Sequence, residues 1–195
     1  YMPQITNSVK IDGTTQSGYQ LGTPSIIIDG QDMITFGFYA YSTDNIEILG
    51  IELNNFRSSG IALYNCTNVF IKSNIITLPN ENYNVGKFWF SRISVMNCNN
   101  VQINNNIINA ESNGIATPGP YNYGVYVYNS TNCSISNTKF EDSNEIFDCY
   151  TGVFIDSSQN IKVSRNLIYN NTNGILFDRG SNSDKQSPII LSYES

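Results

Sequence analysis

The chain contains no histidine. That absence removes most zinc sites, Ser-His-Asp triads and Cys-His pairs, and with them the commonest general base near neutral pH. Charge is also scarce. Only 13% of residues are Asp, Glu, Lys or Arg, the net charge is −6, and the basic residues form no cluster. Nucleic acid and anionic membrane surfaces are poor partners for such a chain. No apolar run approaches the roughly 20 residues that a membrane span needs. No signal peptide is visible and the first residue is Tyr1, which reads as a mature form or a piece of something longer.

What is abundant is apolar and uncharged polar. An apolar fraction of 40% with 12% aromatics is too high for a disordered chain, and 195 residues suffice for one domain with a sizeable core. The polarity comes from 29 Asn, with many Ser, Thr and Tyr. Asn-x-Ser/Thr sequons begin at Asn65, Asn129, Asn132 and Asn170, although an Asn-rich chain produces some by chance. Low charge, this composition and the sequons point to an extracellular or cell-surface protein, a glycoprotein if the sequons are used.

A repeat organises the chain. A short strand pattern starts at Gly37, Gly60, Arg92, Gly124, Gly152 and Gly174, at intervals of 23, 32, 32, 28 and 22 residues. Each copy carries apolar pairs at period two, the strand signature. Phe38, Ile61, Ile93, Val125, Val153 and Ile175 form one inward column, and Ala40, Leu63, Val95, Val127, Ile155 and Phe177 the next. After a polar corner come Ile46, Val69, Val101, Cys133 and Ile161, then Ile48, Ile71, Ile103, Ile135 and Val163. A last column holds Leu53, Ile76, Ile108, Phe140 and Ile168. Asn74, Asn106 and Asn166 share a corner slot, which Thr138 fills in the fourth copy; an inward amide there can bond the rungs on either side. The fold class expected is all-β: a right-handed, single-stranded parallel β-helix of about six to seven rungs with three parallel sheets. Residues 1–36 form an opening rung, 37–180 the regular rungs, and 181–195 a C-terminal strand or tail of a single domain. Helical repeats would need a 3.6-residue period and strong helix formers, which are missing.

The template Gly-Ile-x-Leu-x-Asn-Ser/Cys-x-Asn-x-x-Ile-x-x-Asn-x-Ile resembles the parallel β-helix repeat of the pectate-lyase-like superfamily. The stretch Ile11-Asp12-Gly13-Thr14-Thr15-Gln16-Ser17-Gly18-Tyr19, followed by Ile26-Ile27-Ile28-Asp29-Gly30, is similar to that of bacterial and archaeal surface proteins with such helices. The resemblance implies a fold more than a function, because this fold hosts lyases, hydrolases, epimerases, adhesins and phage tailspikes. It also implies that the sheet of Gly-Ile strands and its flanking loops hold any substrate groove.

Three inserts are expected at that groove: Leu78 to Phe90, Ala110 to Tyr123 and Glu141 to Tyr150. By parity the outward face of the sheet carries Tyr39, Ala62, Ser94, Tyr126, Phe154 and Leu176 in one column and Tyr41, Tyr64, Met96, Tyr128, Asp156 and Asp178 in the other. Aromatic rings stack on the apolar faces of sugars, so Trp89, Tyr121, Tyr123, Tyr126, Tyr128 and Tyr64 are candidate carbohydrate-binding residues. The competing reading is that the inserts bury these rings.

Asp156 and Asp178 fall one rung apart in one column, about 4.8 Å between Cα atoms. Such a pair could share a calcium ion or a proton, or act catalytically with Arg179 or Arg92. The Asn-Thr-Asp, Asp-Asp, Gly-His-Gly and Arg-Ile-Lys series of the polygalacturonases is missing. Cys66 and Cys98 share a slot on adjacent rungs at a spacing suited to a disulfide, with Cys133 and Cys149 as a second candidate pair; buried thiols are the alternative. Neither end shows a capping helix, so stacking of copies end to end into a filament is open. The sequence favours a non-catalytic surface or fibre module contacting polysaccharide through its aromatic face. The alternatives are a polysaccharide lyase or glycoside hydrolase using the Asp pair, and a self-stacking subunit.

Overall fold

A computed structural model describes residues 2–79, 90–111, 122–137, 143–178 and 190–192 of the chain. The strands follow one another rung by rung. The first rung holds β1 (Val9–Asp12), β2 (Ile26–Asp29) and β3 (Phe36–Tyr41), and the second β4 (Asp44–Leu49), β5 (Ile51–Asn54) and β6 (Ser59–Tyr64). The third holds β7 (Thr67–Lys72), β8 (Ile75–Pro79) and β9 (Phe90–Met96), and the fourth β10 (Asn99–Asn104), β11 (Ile107–Glu111) and β12 (Asn122–Tyr128). The fifth holds β13 (Ser134–Ser136), β14 (Glu145–Phe147) and β15 (Thr151–Asp156), and the sixth β16 (Lys162–Ser164), β17 (Leu167–Tyr169) and β18 (Asn173–Asp178). Strand β19 (Ile190–Ser192) adds to β16.

Every third strand pairs in parallel with its predecessor, giving three sheets. The first, β3-β6-β9-β12-β15-β18, is built from the Gly-Ile strands; the second runs β1-β4-β7-β10-β13-β16-β19; the third runs β2-β5-β8-β11-β14-β17. Equivalent repeat positions lie in register: Phe38 on Ile61, Ile61 on Ile93, Ile93 on Val125, Val125 on Val153 and Val153 on Ile175. The chain is a right-handed parallel β-helix. Its inward columns merge into one core in which Ala40, Ile48, Leu53, Ile76, Val95 and Val127 are fully buried.

The corners explain the asparagine. Among the described residues, eighteen non-glycine residues have positive φ and eleven of them are Asn. The short Asn side chain tolerates the left-handed backbone that would cost most other residues about 1–2 kcal/mol. Gly124 serves a different need: a Cβ there would lie 2.5 Å from the Gly152 carbonyl oxygen and 2.6 Å from Ile146 Cγ2.

The inward amide column is present, with one correction. It runs Asn74, Asn106, Asn144, Asn166, so Asn144 takes the slot expected for Thr138, and Ile146 rather than Phe140 pairs with Ile108 and Ile168. Thr138 and Phe140 lie outside the described residues. The slot uses two donors and an acceptor: Asn144 Nδ2 donates to the Ile103 carbonyl and to Asn166 Oδ1 while its Oδ1 accepts from Asn106, whereas a threonine hydroxyl has one donor. The extra residues of this rung therefore fall between β13 and β14. They leave from a different corner than the inserts that follow β8 and β11.

Candidate functional site

The outward face of the first sheet is where sequence placed the function, and its columns form as parity requires. Tyr39, Ala62, Ser94, Tyr126, Phe154 and Leu176 are successive register partners, as are Tyr41, Tyr64, Met96, Tyr128, Asp156 and Asp178. The two columns differ in access. In the first, Ala62 is 0%, Ser94 3%, Tyr126 2% and Phe154 6% exposed. The Tyr126 ring stacks on Tyr123 at 5.5 Å and on Phe154 at 5.5 Å, with Met96 packed against the group. Burial pushes the Tyr126 hydroxyl well above its ordinary value.

This corrects two expected contact residues. Tyr123 and Tyr126 are buried and sandwiched by other rings, so neither offers a face to a sugar. Trp89 and Tyr121 lie outside the described residues. Access belongs to the second column. Tyr41 and Tyr128 are exposed, and Tyr64 and Met96 half-buried. The buried column braces them: Tyr39 lies 5.8 Å from Tyr64, and Tyr126 stacks on Tyr128 at 6.2 Å. The result is a ridge of Tyr41, Tyr64, Met96 and Tyr128 at one-rung spacing, ending in Asp156 and Asp178.

Asp156 and Asp178 are register partners. Asp156 is half-buried and Asp178 exposed, and the Ser157 hydroxyl donates to Asp156 Oδ1 at 2.8 Å. A calcium ion takes six to eight oxygens. Among the described residues no third carboxylate joins the pair. Arg179 lies outside the described residues.

Arg92 does not serve this site. It occupies the repeat position held elsewhere by Gly37, Gly60, Gly124, Gly152 and Gly174, and its side chain is 0% exposed inside the solenoid. Its Nε donates to the Asn109 carbonyl at 2.9 Å, one terminal nitrogen donates to the Leu78 carbonyl at 3.3 Å, and the other to Asn122 Oδ1. The guanidinium thus binds a carbonyl from each of strands β8 and β11. A guanidinium buried among core carbonyls cannot reach carboxylates on the outer face, so the expectation of Arg92 as a catalytic partner is corrected.

The disulfide expectations are corrected too, because all four cysteines are free buried thiols. Cys66 and Cys98 do stack, but as members of a corner column with Ser130 and Ser158. Each side chain donates to the carbonyl two residues back, and each sulfur or oxygen below accepts from the backbone N–H above: Cys66 N–H to Cys98 Sγ at 3.4 Å, Cys98 N–H to Ser130 Oγ at 3.0 Å, Ser130 N–H to Ser158 Oγ at 3.1 Å. The Cys66 and Cys98 side chains also hydrogen-bond each other, as two thiols and not as a disulfide. Cys133 and Cys149 donate to their own local carbonyls, of Thr131 and Phe147. Hydrogen bonding with Cys66 and burial raise the Cys98 thiol, and burial pushes Cys133 up to about 11.

The sequon asparagines Asn65, Asn129, Asn132 and Asn170 are exposed, and all have positive φ, between 44° and 55°. Their backbone role accounts for them without glycosylation. Asn129 Nδ2 already donates to Asn97 Oδ1 at 2.7 Å and Asn132 Nδ2 to Asn99 Oδ1 at 2.8 Å.

The geometry defines a parallel β-helix protein with an exposed aromatic ridge and no assembled catalytic constellation among the described residues. Residues 4–186 match the family described as "Periplasmic copper-binding protein (NosD)", and the chain belongs to that family. No curated protein matches it. Among the described residues, no helix is long and apolar enough to cross a membrane.

Copper is held by imidazole nitrogens or by soft sulfur ligands. This chain has no imidazole, and its four thiols are buried and committed to carbonyls. Among the described residues, no three of His, Cys, Asp and Glu converge. Among the described residues, the His, Cys, Asp and Glu donors do not form a copper site.

Proposed function

We propose that this chain is a non-catalytic β-helix module working outside the cytoplasm, which contacts polysaccharide along the ridge Tyr41, Tyr64, Met96 and Tyr128. The observation that carries the reading is the contrast between the two outward columns. The inner one is buried from Ala62 to Phe154, and its Tyr39 and Tyr126 pack on a neighbouring column in which Tyr41 and Tyr128 are exposed and Tyr64 and Met96 half-buried. Rigid rings stack on sugar faces at little entropic cost, and a regular row suits a repeating polymer. The periplasmic description of the family is consistent with this placement. Asp156 and Asp178 at the end of the ridge accept hydrogen bonds from sugar hydroxyls.

Affinity electrophoresis through gels containing neutral or acidic polysaccharides tests the proposal. The chain is expected to be retarded by at least one polymer, and Tyr64→Ala/Tyr128→Ala to migrate at least tenfold closer to the unretarded control. No new reducing ends or unsaturated products should form. Equal retardation of the double variant, or cleavage abolished by Asp156→Asn, would overturn it.

A further inference from the structure

The second sheet looks unremarkable in sequence, but it bears a concavity of about 250 Å³ lined by Asn45, Glu47, Asn68, Phe70, Asn100 and Gln102. We infer that this groove is a separate carbohydrate-binding site, selective for neutral sugar rings. It lies on a different sheet from the ridge and does not depend on it.

Its floor is one outward column. Glu47, Phe70 and Gln102 are register partners on β4, β7 and β10, so a half-buried aromatic ring has a carboxylate one rung to one side and an amide one rung to the other. Its wall is a ladder of corner asparagines. Asn45, Asn68 and Asn100 all have φ between 56° and 57°, Asn68 Nδ2 donates to Asn45 Oδ1 at 3.3 Å, and Asn100 Nδ2 to Asn68 Oδ1 at 2.8 Å. Asn68 and Asn100 each spend one of two N–H groups on the ladder, so each keeps a second donor for the groove.

This is the chemistry a pyranose needs. Its C–H face packs on an aromatic ring, and its vicinal hydroxyls bond planar groups that donate and accept. Charge sets the class. Lys10 Nζ stands 3.7 Å from Glu47 Oε2 and 3.0 Å from Asp12 Oδ2, so the cation paired with Glu47 is shared with a second carboxylate. A uronate or sulfated sugar would bring its anion beside the Glu47 carboxylate, whereas a neutral hydroxyl donates to it.

Calorimetric titration of the full chain with maltohexaose, cellohexaose, mannohexaose and an oligogalacturonate tests the site. At least one neutral probe is expected to bind, with affinity falling at least tenfold in Phe70→Ala and in Gln102→Ala. Affinity should be unchanged in Tyr169→Ala on the third sheet, and the oligogalacturonate should not compete. Phe70→Leu, which keeps apolar bulk without a ring, should show the same loss with a wild-type melting temperature, separating binding from folding. Three results would overturn the inference: no neutral probe bound at millimolar concentration, Phe70→Leu binding like the wild type, or loss confined to the Tyr64/Tyr128 variant. The last would leave the ridge reading intact while removing this one.

Discussion

Arg92 shows how far a single residue can mislead. In sequence it is an arginine at the start of a strand whose sheet faces the expected groove, and a cation near two aspartates invites a catalytic role. The clue to its real place was its position in the glycine column, where any side chain must enter the core. Removing it would strand the Leu78 and Asn109 carbonyls in the interior, at roughly 1–3 kcal/mol for each unmatched group. Arg92→Met is therefore expected to lower unfolding stability by about 2–4 kcal/mol, read as a shift in the urea midpoint, while leaving any glycan affinity intact. A variant as stable as the wild type would contradict the role given to Arg92. The cysteines carry the same lesson. Their stacked spacing was legible, but the direction of each thiol was set by a carbonyl two residues back, which spacing cannot reveal.

At the scale of elements, period-two patterning was enough to place every inward column of the first two sheets, because a one-residue slip would turn each strand inside out. The third sheet was harder. Its strands are short, three residues each in β14 and β17, and the fifth rung delays its amide slot to Asn144, after extra residues that shift the spacing. The column itself is strongly bonded. Asn106 accepts from Asn74 N–H at 3.0 Å, donates to the Ile71 carbonyl at 3.0 Å and donates to Asn144 Oδ1 at 3.0 Å. Asn106→Ala strands several buried partners and should cost roughly 3–5 kcal/mol. By contrast, its half-buried corner neighbour Asn105→Ala, with φ of 54° and a single side-chain bond to Ser73 Oγ at 3.1 Å, should cost only about 1–2 kcal/mol. Chemical denaturation of the two variants side by side checks the ranking. Equal losses would mean that corner conformation, not the buried amides, sets the stability.

For the whole molecule, a core that encloses thiols sets an alkaline limit. Cys133 has its pKa raised by burial from 9.0 to about 11. Below 9 both folded and unfolded chains keep the proton. As pH rises from 9 towards 11 the unfolded chain releases it first, so stability falls through that window, by roughly 3 kcal/mol in the limit. Cys133→Val should flatten this slope in pH-dependent unfolding, and an unchanged slope would mean that the burial of Cys133 does not set the limit. The molecular surface was legible by parity but not by access: the sequence named both outward columns, and only packing showed that Tyr126 and Phe154 are spent on the interior while Tyr41 and Tyr128 are not.

The account stands on that exposed row acting as one contact surface. Hydroxyl-radical footprinting, with and without a bound polysaccharide, tests it most directly. Tyr41, Tyr64, Met96 and Tyr128 should lose reactivity together on ligand addition, while Tyr169 on the third sheet should not change. Bound polymer that left the row as reactive as before, or shielded the third sheet instead, would contradict it.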